Sequence, residues 1–293
     1  MPKSPIQVKG IVKRFDGRAV LDGINLNVKQ GETLVIMGGS GCGKSTLLRT
    51  MMGSIKPDQG SVNILGQDIT DANENQLNAV RKKIGILFQS GALFNSMTLR
   101  ENIALPLQEH TKLAAEMIEI MVTIKLELVG LREHGDKYPA QISGGMKKRA
   151  GLARALSMDP QILFYDEPSA GLDPVTSAEI DQLIIALSKR LGVTSVVVTH
   201  EMDSGFTIAD RMAMMDKGKV LAIEDRSWFE DLRDSTDELP NDKALIRQFL
   251  RGDAQGPLTE RKQSSNYEEE LLGIAANAPK RGTVPALQPT RKH

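Results

Sequence analysis

Thr33-Leu34-Val35-Ile36-Met37-Gly38-Gly39-Ser40-Gly41-Cys42-Gly43-Lys44-Ser45-Thr46-Leu47 is the stretch on which the reading of this chain turns. Its apolar start predicts a short buried strand, followed by a glycine-rich loop and the first turn of a helix. Gly38, Gly43, Lys44 and Ser45 match the spacing G-x-x-x-x-G-K-[ST]. Glycines let backbone N–H groups turn inward, and no Cβ blocks the approach of a phosphate. A helix beginning near Lys44 adds the positive end of its dipole, so the site favours a polyanion. Lys44 is placed to reach β- and γ-phosphates, and the Ser45 hydroxyl to ligate Mg²⁺. A glycine-rich turn before a helix is ordinarily punctuation. The preceding strand and the Gly-Lys-Ser close argue for a nucleotide site.

Around that stretch the composition is that of a globular protein. The chain of 293 residues suffices for one large domain or two modest ones. Basic and acidic side chains balance at 37 each, which argues against a general nucleic-acid binder working through a basic field. One cysteine, Cys42, excludes an internal disulfide, and a reducing compartment is expected. Met1-Pro2-Lys3-Ser4-Pro5 leads into no apolar signal-type region. No apolar run approaches the roughly 18 residues of a membrane span, so a partner is expected to supply any membrane.

Upstream of the loop, Ile6-Gln7-Val8 and Leu26-Asn27-Val28 alternate as strands, with breaks at Asp16-Gly17 and Lys29-Gln30-Gly31. Phe15 admits two readings, a ring over a base or ordinary strand core. Downstream, a helix is expected over 44–52 and a turn at Pro57-Asp58-Gln59-Gly60. A strand follows over 61–65, a helical segment over 76–81 and a buried strand over 84–88. Gln89 stands at the carboxyl end of that last strand, where ligand sites of open α/β sheets lie. Residues 91–141 carry helical spacing over 99–107 and 112–131, with Pro106 as a break.

Ser143-Gly144-Gly145 opens another helix to about Met158, with Ser143 as N-cap and a second anion site at its start. The following Lys147-Lys148-Arg149 reads as a solvated helix face. The apolar run ending in Asp166-Glu167-Pro168 is a strand tipped with paired carboxylates, suited to metal holding by Asp166 and water activation by Glu167. Asp173 lies in the next loop, a helix is expected over 177–191 with Gly192 past its end, and His200 tips the strand 194–199. His110, His134 and His293 are expected at the surface. Two strands around Asp216-Lys217-Gly218 form a hairpin, 227–251 is expected to be helical, and the methionine pairs read as core. Beyond Gly252 apolar periodicity fades, so a mobile extension is expected over 251–293.

In order, the phosphate loop, Gln89, Ser143-Gly144-Gly145, Asp166-Glu167, Asp173 and His200 resemble the ATP-binding cassette ATPases over about residues 6–250. The resemblance implies an α/β fold: a P-loop NTPase with a RecA-like ABC ATPase core, an antiparallel β-subdomain and an inserted α-helical subdomain. Residues 1–90 and 142–250 would form the core, and 91–141 the helical subdomain. It implies ATP and Mg²⁺ as ligands. Phe15 would stack on adenine, and Gly38, Gly39, Ser40, Gly41, Cys42, Gly43, Lys44 and Thr46 would hold phosphates. Ser45, Gln89 and Asp166 would handle Mg²⁺, Glu167 would polarise water and His200 would touch the γ-phosphate. In a homodimer Ser143, Gly144 and Gly145 would complete the partner's site, and Asp173 would communicate across the interface. Met146 stands where the family's signature usually has Gln.

Gly91-Ala92-Leu93-Phe94, Met146-Lys147-Lys148-Arg149 and 169–177 are similar to the ATPases of Mla/Mce-type lipid transporters. That likeness implies phospholipid transport between bacterial membranes, with integral-membrane permease subunits, an Mce-domain lipid-binding protein and a place at the cytoplasmic face of the inner membrane. An importer of amino acids or other small polar solutes, and a cassette ATPase acting on ribosomes or DNA, remain alternatives.

Overall fold

A computed structural model describes residues 4–259. The amino-terminal third is dominated by β-structure. β1 (Ile6–Phe15) and β2 (Arg18–Val28) pair antiparallel, with Ile6 opposite Val28 and Val8 opposite Leu26. Asp16 and Gly17 both have positive φ, 49° and 79°, the conformation that joins two twisted strands by a tight turn. Each strand is longer than alternation alone indicates. β3 (Thr33–Gly38) is buried at every residue and leads through the phosphate loop into α1 (Lys44–Met51). β4 (Gln59–Ile64) and β5 (Gln67–Asp68) complete a four-stranded antiparallel sheet in the order β2-β1-β4-β5.

α2 (Glu74–Arg81) starts two residues ahead of expectation because Asn73 and Gln76 form a reciprocal capping box. β6 (Ile84–Leu87) then enters a second sheet. α3 (Leu99–His110) does not break at Pro106; the helix runs through it. The missing proline N–H forfeits one bond, to the Asn102 carbonyl, but Asn102 is held otherwise. Its side chain, fully buried, accepts from Phe94 N at 2.7 Å, and its Nδ2 lies within 3.1 Å of the carbonyls of Phe94, Met97 and Thr98. α4 (Ala115–Leu128) is shorter than the expected 112–131.

α5 (Gly144–Ala155), β7 (Ile162–Asp166), α6 (Pro174–Leu191), β8 (Thr194–Val198), α7 (Met202–Ile208), β9 (Arg211–Asp216) and β10 (Lys219–Asp225) follow. α6 begins at Pro174 because Asp173 caps it and proline suits a first helical position. Gly192 ends it in the left-handed conformation, φ 61°. The second sheet has the order β10-β9-β3-β8-β7-β6, parallel from β9 to β6 with antiparallel β10 at its edge.

One apolar cluster joins both sheets through α1: Ile6, Leu21 and Ile64 from the first, Leu34, Phe164 and Val196 from the second, Leu47, Leu48 and Met51 between. Each such side chain contributes about 1.5–3 kcal/mol on burial. The methionines Met51, Met52, Met212, Met214 and Met215 are all buried, as expected. This packing holds the start of α1, and with it the phosphate loop, against the sheet.

Residues 227–251 do not form one helix. α8 (Arg226–Asp234) stops, and α9 (Asn241–Arg251) starts after Pro240, which disfavours helix in the residue before it. The chain divides into two compact units between Asp237 and Glu238. In the second, Gln248 gathers the following residues: its amide donates to Asp253 O and Thr259 Oγ1, and its Oε1 accepts from Leu258 N at 2.7 Å. The stretch to Thr259 is therefore structured, contrary to an extension mobile from 251. Residues 260–293, including His293, lie outside the described residues.

Asn102→Ala leaves the Phe94 N–H without its buried acceptor. It is expected to destabilise the first unit by about 1–3 kcal/mol, read as a lower urea midpoint at unchanged m-value.

Candidate active site

The phosphate loop is shaped by two close approaches. A Cβ on Gly38 (φ 151°) would lie 2.2 Å from the Met215 carbonyl oxygen, and one on Gly43 (φ 109°) 2.7 Å from that of Val20. At Gly39 and Gly41 the same construction meets nothing within 4 Å. The loop is thus locked where it touches the protein and open where a ligand would approach. Ser40, Gly41 and Ser45 are exposed, Thr46 is half-buried and Cys42 is buried, its thiol pushed up by burial. No side chain caps α1, so its first N–H groups remain for an anion. Lys44 folds its ammonium over the loop, 2.7 Å from Gly38 O and 3.1 Å from Gly39 O.

Parallel pairing brings the acidic residues to the same end of the sheet. Ile36 of β3 and Asp166 of β7 both lie opposite Val198 of β8. Ser45 Oγ stands 3.5 Å from Asp166 Oδ1. Leu87 of β6 lies opposite Tyr165, so the exposed Gln89 emerges at this end too. Burial raises the Asp166 carboxyl above the ordinary aspartate range, and the adjacent Glu167 charge adds to the shift.

Glu167 is bent into the left-handed region at φ 52°, at a cost of about 1–2 kcal/mol for a residue with a Cβ. Its N–H donates to Val198 O at 2.9 Å. Its Oε2 accepts from His200 N at 3.3 Å and lies 2.8 Å from His200 Nδ1. A carboxylate acceptor places the proton on Nδ1 in this arrangement. The Glu167 side chain is 14% exposed and that of His200 59%.

Phe15 is not strand core. Its ring is 44% exposed at the end of β1, with Lys13 Nζ 5.5 Å from its centroid. Ser143 does cap α5, accepting from Met146 N at 3.3 Å, and both it and Gly144 are exposed. No hydrogen bond among the described residues joins Ser143, Gly144 or Gly145 to the phosphate loop. Gly145 is instead buried against α6, where a Cβ would come within 2.4 Å of Thr176 Cγ2. Asp173 caps α6 beside that contact, accepting from the N–H groups of Val175 and Thr176 and from the Thr176 hydroxyl. Those bonds, the hydroxyl's above all, hold its carboxyl below the usual aspartate range. His110 is exposed as expected, but His134 is half-buried, its Nδ1 without a partner.

The run Lys147-Lys148-Arg149 is not a solvated face. Lys148 is 5% exposed and donates to the Glu167 carbonyl at 3.0 Å, while Arg149 pairs with Glu179. Sequence reasoning missed Lys148. The available signal was its place four residues before the apolar Leu152, on the face that α5 turns inward.

The family described as ABC transporter matches residues 21–170. This chain belongs to that family. Among curated relatives of this cassette ATPase, the intermembrane phospholipid transport system ATP-binding protein MlaF of Haemophilus influenzae is 40% identical over 93% of the chain and 100% of its own length. MlaF of Escherichia coli K12 is 41% identical over 87% and 91%. The probable ribonucleotide transport ATP-binding protein mkl of Mycobacterium leprae is 41% identical over 92% of the chain and 76% of its own length. The dimeric cassette MJ0796, solved in a post-hydrolysis state with ADP and Pi, superposes with TM-score 0.69 at 32% identity, over 75% of this chain and 98% of that one. CbiO1 from Clostridium perfringens, part of the transporter complex cbiONQ, gives 0.73 at 32% identity, over 83% and 98%. The antiparallel sheet, the largely parallel sheet, the phosphate loop and the helices between β6 and β7 agree with this kinship.

Asp166 yields a pH prediction. A carboxyl whose folded pKa is raised contributes stability that is fully present below its unfolded value and is lost as pH rises through the raised folded value, so the Asp166 carboxyl favours folding less at neutral pH than in acid. Asp166→Asn is expected to melt above the parent in metal- and nucleotide-free buffer at pH 7. The gap should close below about pH 3.9, where the unfolded carboxyl is protonated as well. Calorimetry across that range checks it.

Proposed function

We propose that this cassette is the ATP-hydrolysing subunit of a transporter moving phospholipid between the inner and outer bacterial membranes, working as a homodimer at the cytoplasmic face of the inner membrane. The supporting observation for the substrate is the alignment with MlaF of Haemophilus influenzae, which spans that protein end to end. The mkl relatives, whose name carries ribonucleotide transport, are longer than the part this chain matches.

The site supports ATP hydrolysis by positioning and electrostatics. The amides of Gly39, Ser40, Gly41, Cys42 and Gly43, the α1 N-terminus, Lys44 and Thr46 hold phosphates, and the exposed Phe15 ring takes adenine. Ser45, Asp166 and Gln89 offer a hydroxyl, a carboxylate and an amide, all oxygen donors. Among the described residues no group of three or more His, Cys, Asp or Glu could hold a metal. That sparse oxygen set fits Mg²⁺, which takes one or two protein ligands and completes its shell with substrate phosphates and water. Bound there, Mg²⁺ neutralises charge on the phosphates. Glu167 accepts the proton of the attacking water, with His200 orienting its carboxylate and facing the γ-phosphate.

Among the described residues, a Cβ at Gly39 or Gly41 would meet nothing within 4 Å, so this side of the phosphate loop is open. Ser143, Gly144 and Gly145 of a second copy complete the site there, with Asp173 and its loop at the seam. The dimeric form of MJ0796 supports this arrangement. A groove of about 900 Å³, lined by Arg81, Lys83, Pro106, His110, Arg154 and Met158 among others, lies among α2, α3, α5 and β6. Nearby Phe94 is half exposed, held through Arg154, which donates to Ala92 O and lies over the ring. We assign this region to the permease subunits. No described helix is long and apolar enough to cross a membrane. An Mce-domain protein would handle lipid beyond the permease, and no nucleic acid takes part.

Two measurements test this reading. Lys44→Ala and Ser143→Arg chains, each inactive alone, are expected to regain turnover on mixing, because every mixed dimer keeps one site free of both lesions. Absence of recovery, with mixed dimers verified, overturns the shared site. The native complex, isolated through this subunit, is expected to carry a permease and an Mce-domain protein and to hydrolyse ATP faster with phospholipid. Stimulation by ribonucleotide or by an amino acid instead, with none by phospholipid, overturns the lipid assignment.

A further inference from the structure

Lys148 leaves α5 three residues after Gly145 and five after Ser143, and it points into the protein rather than along the exposed helix start. Its Nζ lies 3.0 Å from the carbonyl oxygen of Glu167, whose other hydrogen-bond donor is Ala170 N at 3.3 Å. Burying an ammonium is costly unless its charge is answered. Here burial pulls the Lys148 pKa down, while the charges of Glu201, Glu167 and Asp166 push it back up. It is a buried cation facing three carboxylates, bonded to the backbone of one.

Glu167 needs such a tether. A left-handed residue with a side chain persists only where its surroundings over-determine it. Its N–H is held by β8 through Val198 and its carboxylate by His200. The carbonyl is held by α5, the element that also presents Ser143 and Gly145. We infer that Lys148 is the positioning residue of Glu167, fixing the backbone of the proton acceptor and tying it to the helix that serves the second copy's site. This rests on the role proposed above for Glu167. A charge-assisted bond to a carbonyl is directional and stronger than a neutral one, so a displacement of α5 is felt at Glu167.

The test uses the full chain in a steady-state ATPase assay. Lys148→Met keeps the stem and removes the cation; kcat is expected to fall at least about tenfold through misplacement of Glu167, with KM for ATP within about threefold of the parent. Lys148→Arg keeps charge and donor and should restore most of the lost kcat. Because Lys148 acts through Glu167, the double variant Lys148→Met/Glu167→Gln should be no slower than Glu167→Gln alone in single-turnover measurements. A parental kcat in folded Lys148→Met, a loss confined to KM, or multiplied losses in the double variant each overturn the inference. If Lys148→Met does not fold, Lys148→Gln is measured against the same criteria. Parental turnover by Glu167→Gln alone would instead overturn the role of Glu167.

Discussion

Everything in the site depends on the parallel pairing of β3, β8 and β7. Parallel strands share a direction, so their carboxyl ends fall on one edge, and three distant parts of the sequence meet there. The register sets Ile36, Val198 and Asp166 side by side. Two residues beyond Ile36 the phosphate loop begins, two beyond Val198 stands His200, and next to Asp166 stands Glu167. A slip of one residue in either pairing would turn the adjacent side chains to the opposite face. Such a slip is opposed by the apolar cores on both sides, since β3 and β8 are buried at every position.

At that edge the protein accepts unfavourable features together. Asp166 is partly desolvated beside another carboxylate, Glu167 is left-handed, and Lys148 is a buried ammonium. None would persist alone. They are tolerated because each is partly answered by a neighbour: Ser45 for Asp166, Val198 and His200 for Glu167, the Glu167 carbonyl for Lys148. The stabilising surplus comes from elsewhere, chiefly from the apolar cluster that clamps α1 between the two sheets.

What was legible in the sequence was local. The phosphate loop is a contiguous pattern in which Gly38 and Gly43 have a steric reason to be glycine, and the carboxylate pair follows a run of apolar residues that reads as strand. Asp16-Gly17 and Gly192 announce their turns because their conformations suit few residue types. What was illegible depended on partners far along the chain. Pro106 reads as a break until Asn102 is seen to be held by the loop 94–98. Lys148 reads as solvent-facing because two basic neighbours surround it, and its partner, the Glu167 carbonyl nineteen residues away, cannot be seen from the helix pattern. Asp173 was read as an interface residue, and its helix cap went unnoticed because Pro174 obscured where α6 begins. Phe15 was left open by the sequence, since strand ends look alike until burial is known.

The signature helix gives these pieces a mechanical relation. From Ser143 to Lys148 the chain advances five residues, about 7.5 Å of helix rise, and both ends of that short span are anchored. At the outer end Ser143 and Gly144 are exposed, while Gly145 is seated without clearance on Thr176, whose hydroxyl is fixed by Asp173. At the inner end Lys148 holds the backbone of Glu167. A segment this short does not bend appreciably, so a force on its exposed start must appear either at the Asp173 loop or at Glu167. Those are the seam of the proposed dimer and its proposed proton acceptor. The same rigidity gives α5 a reason to start with two glycines: the first leaves its surface free for a ligand, and the second lets α6 approach closely enough to carry the load.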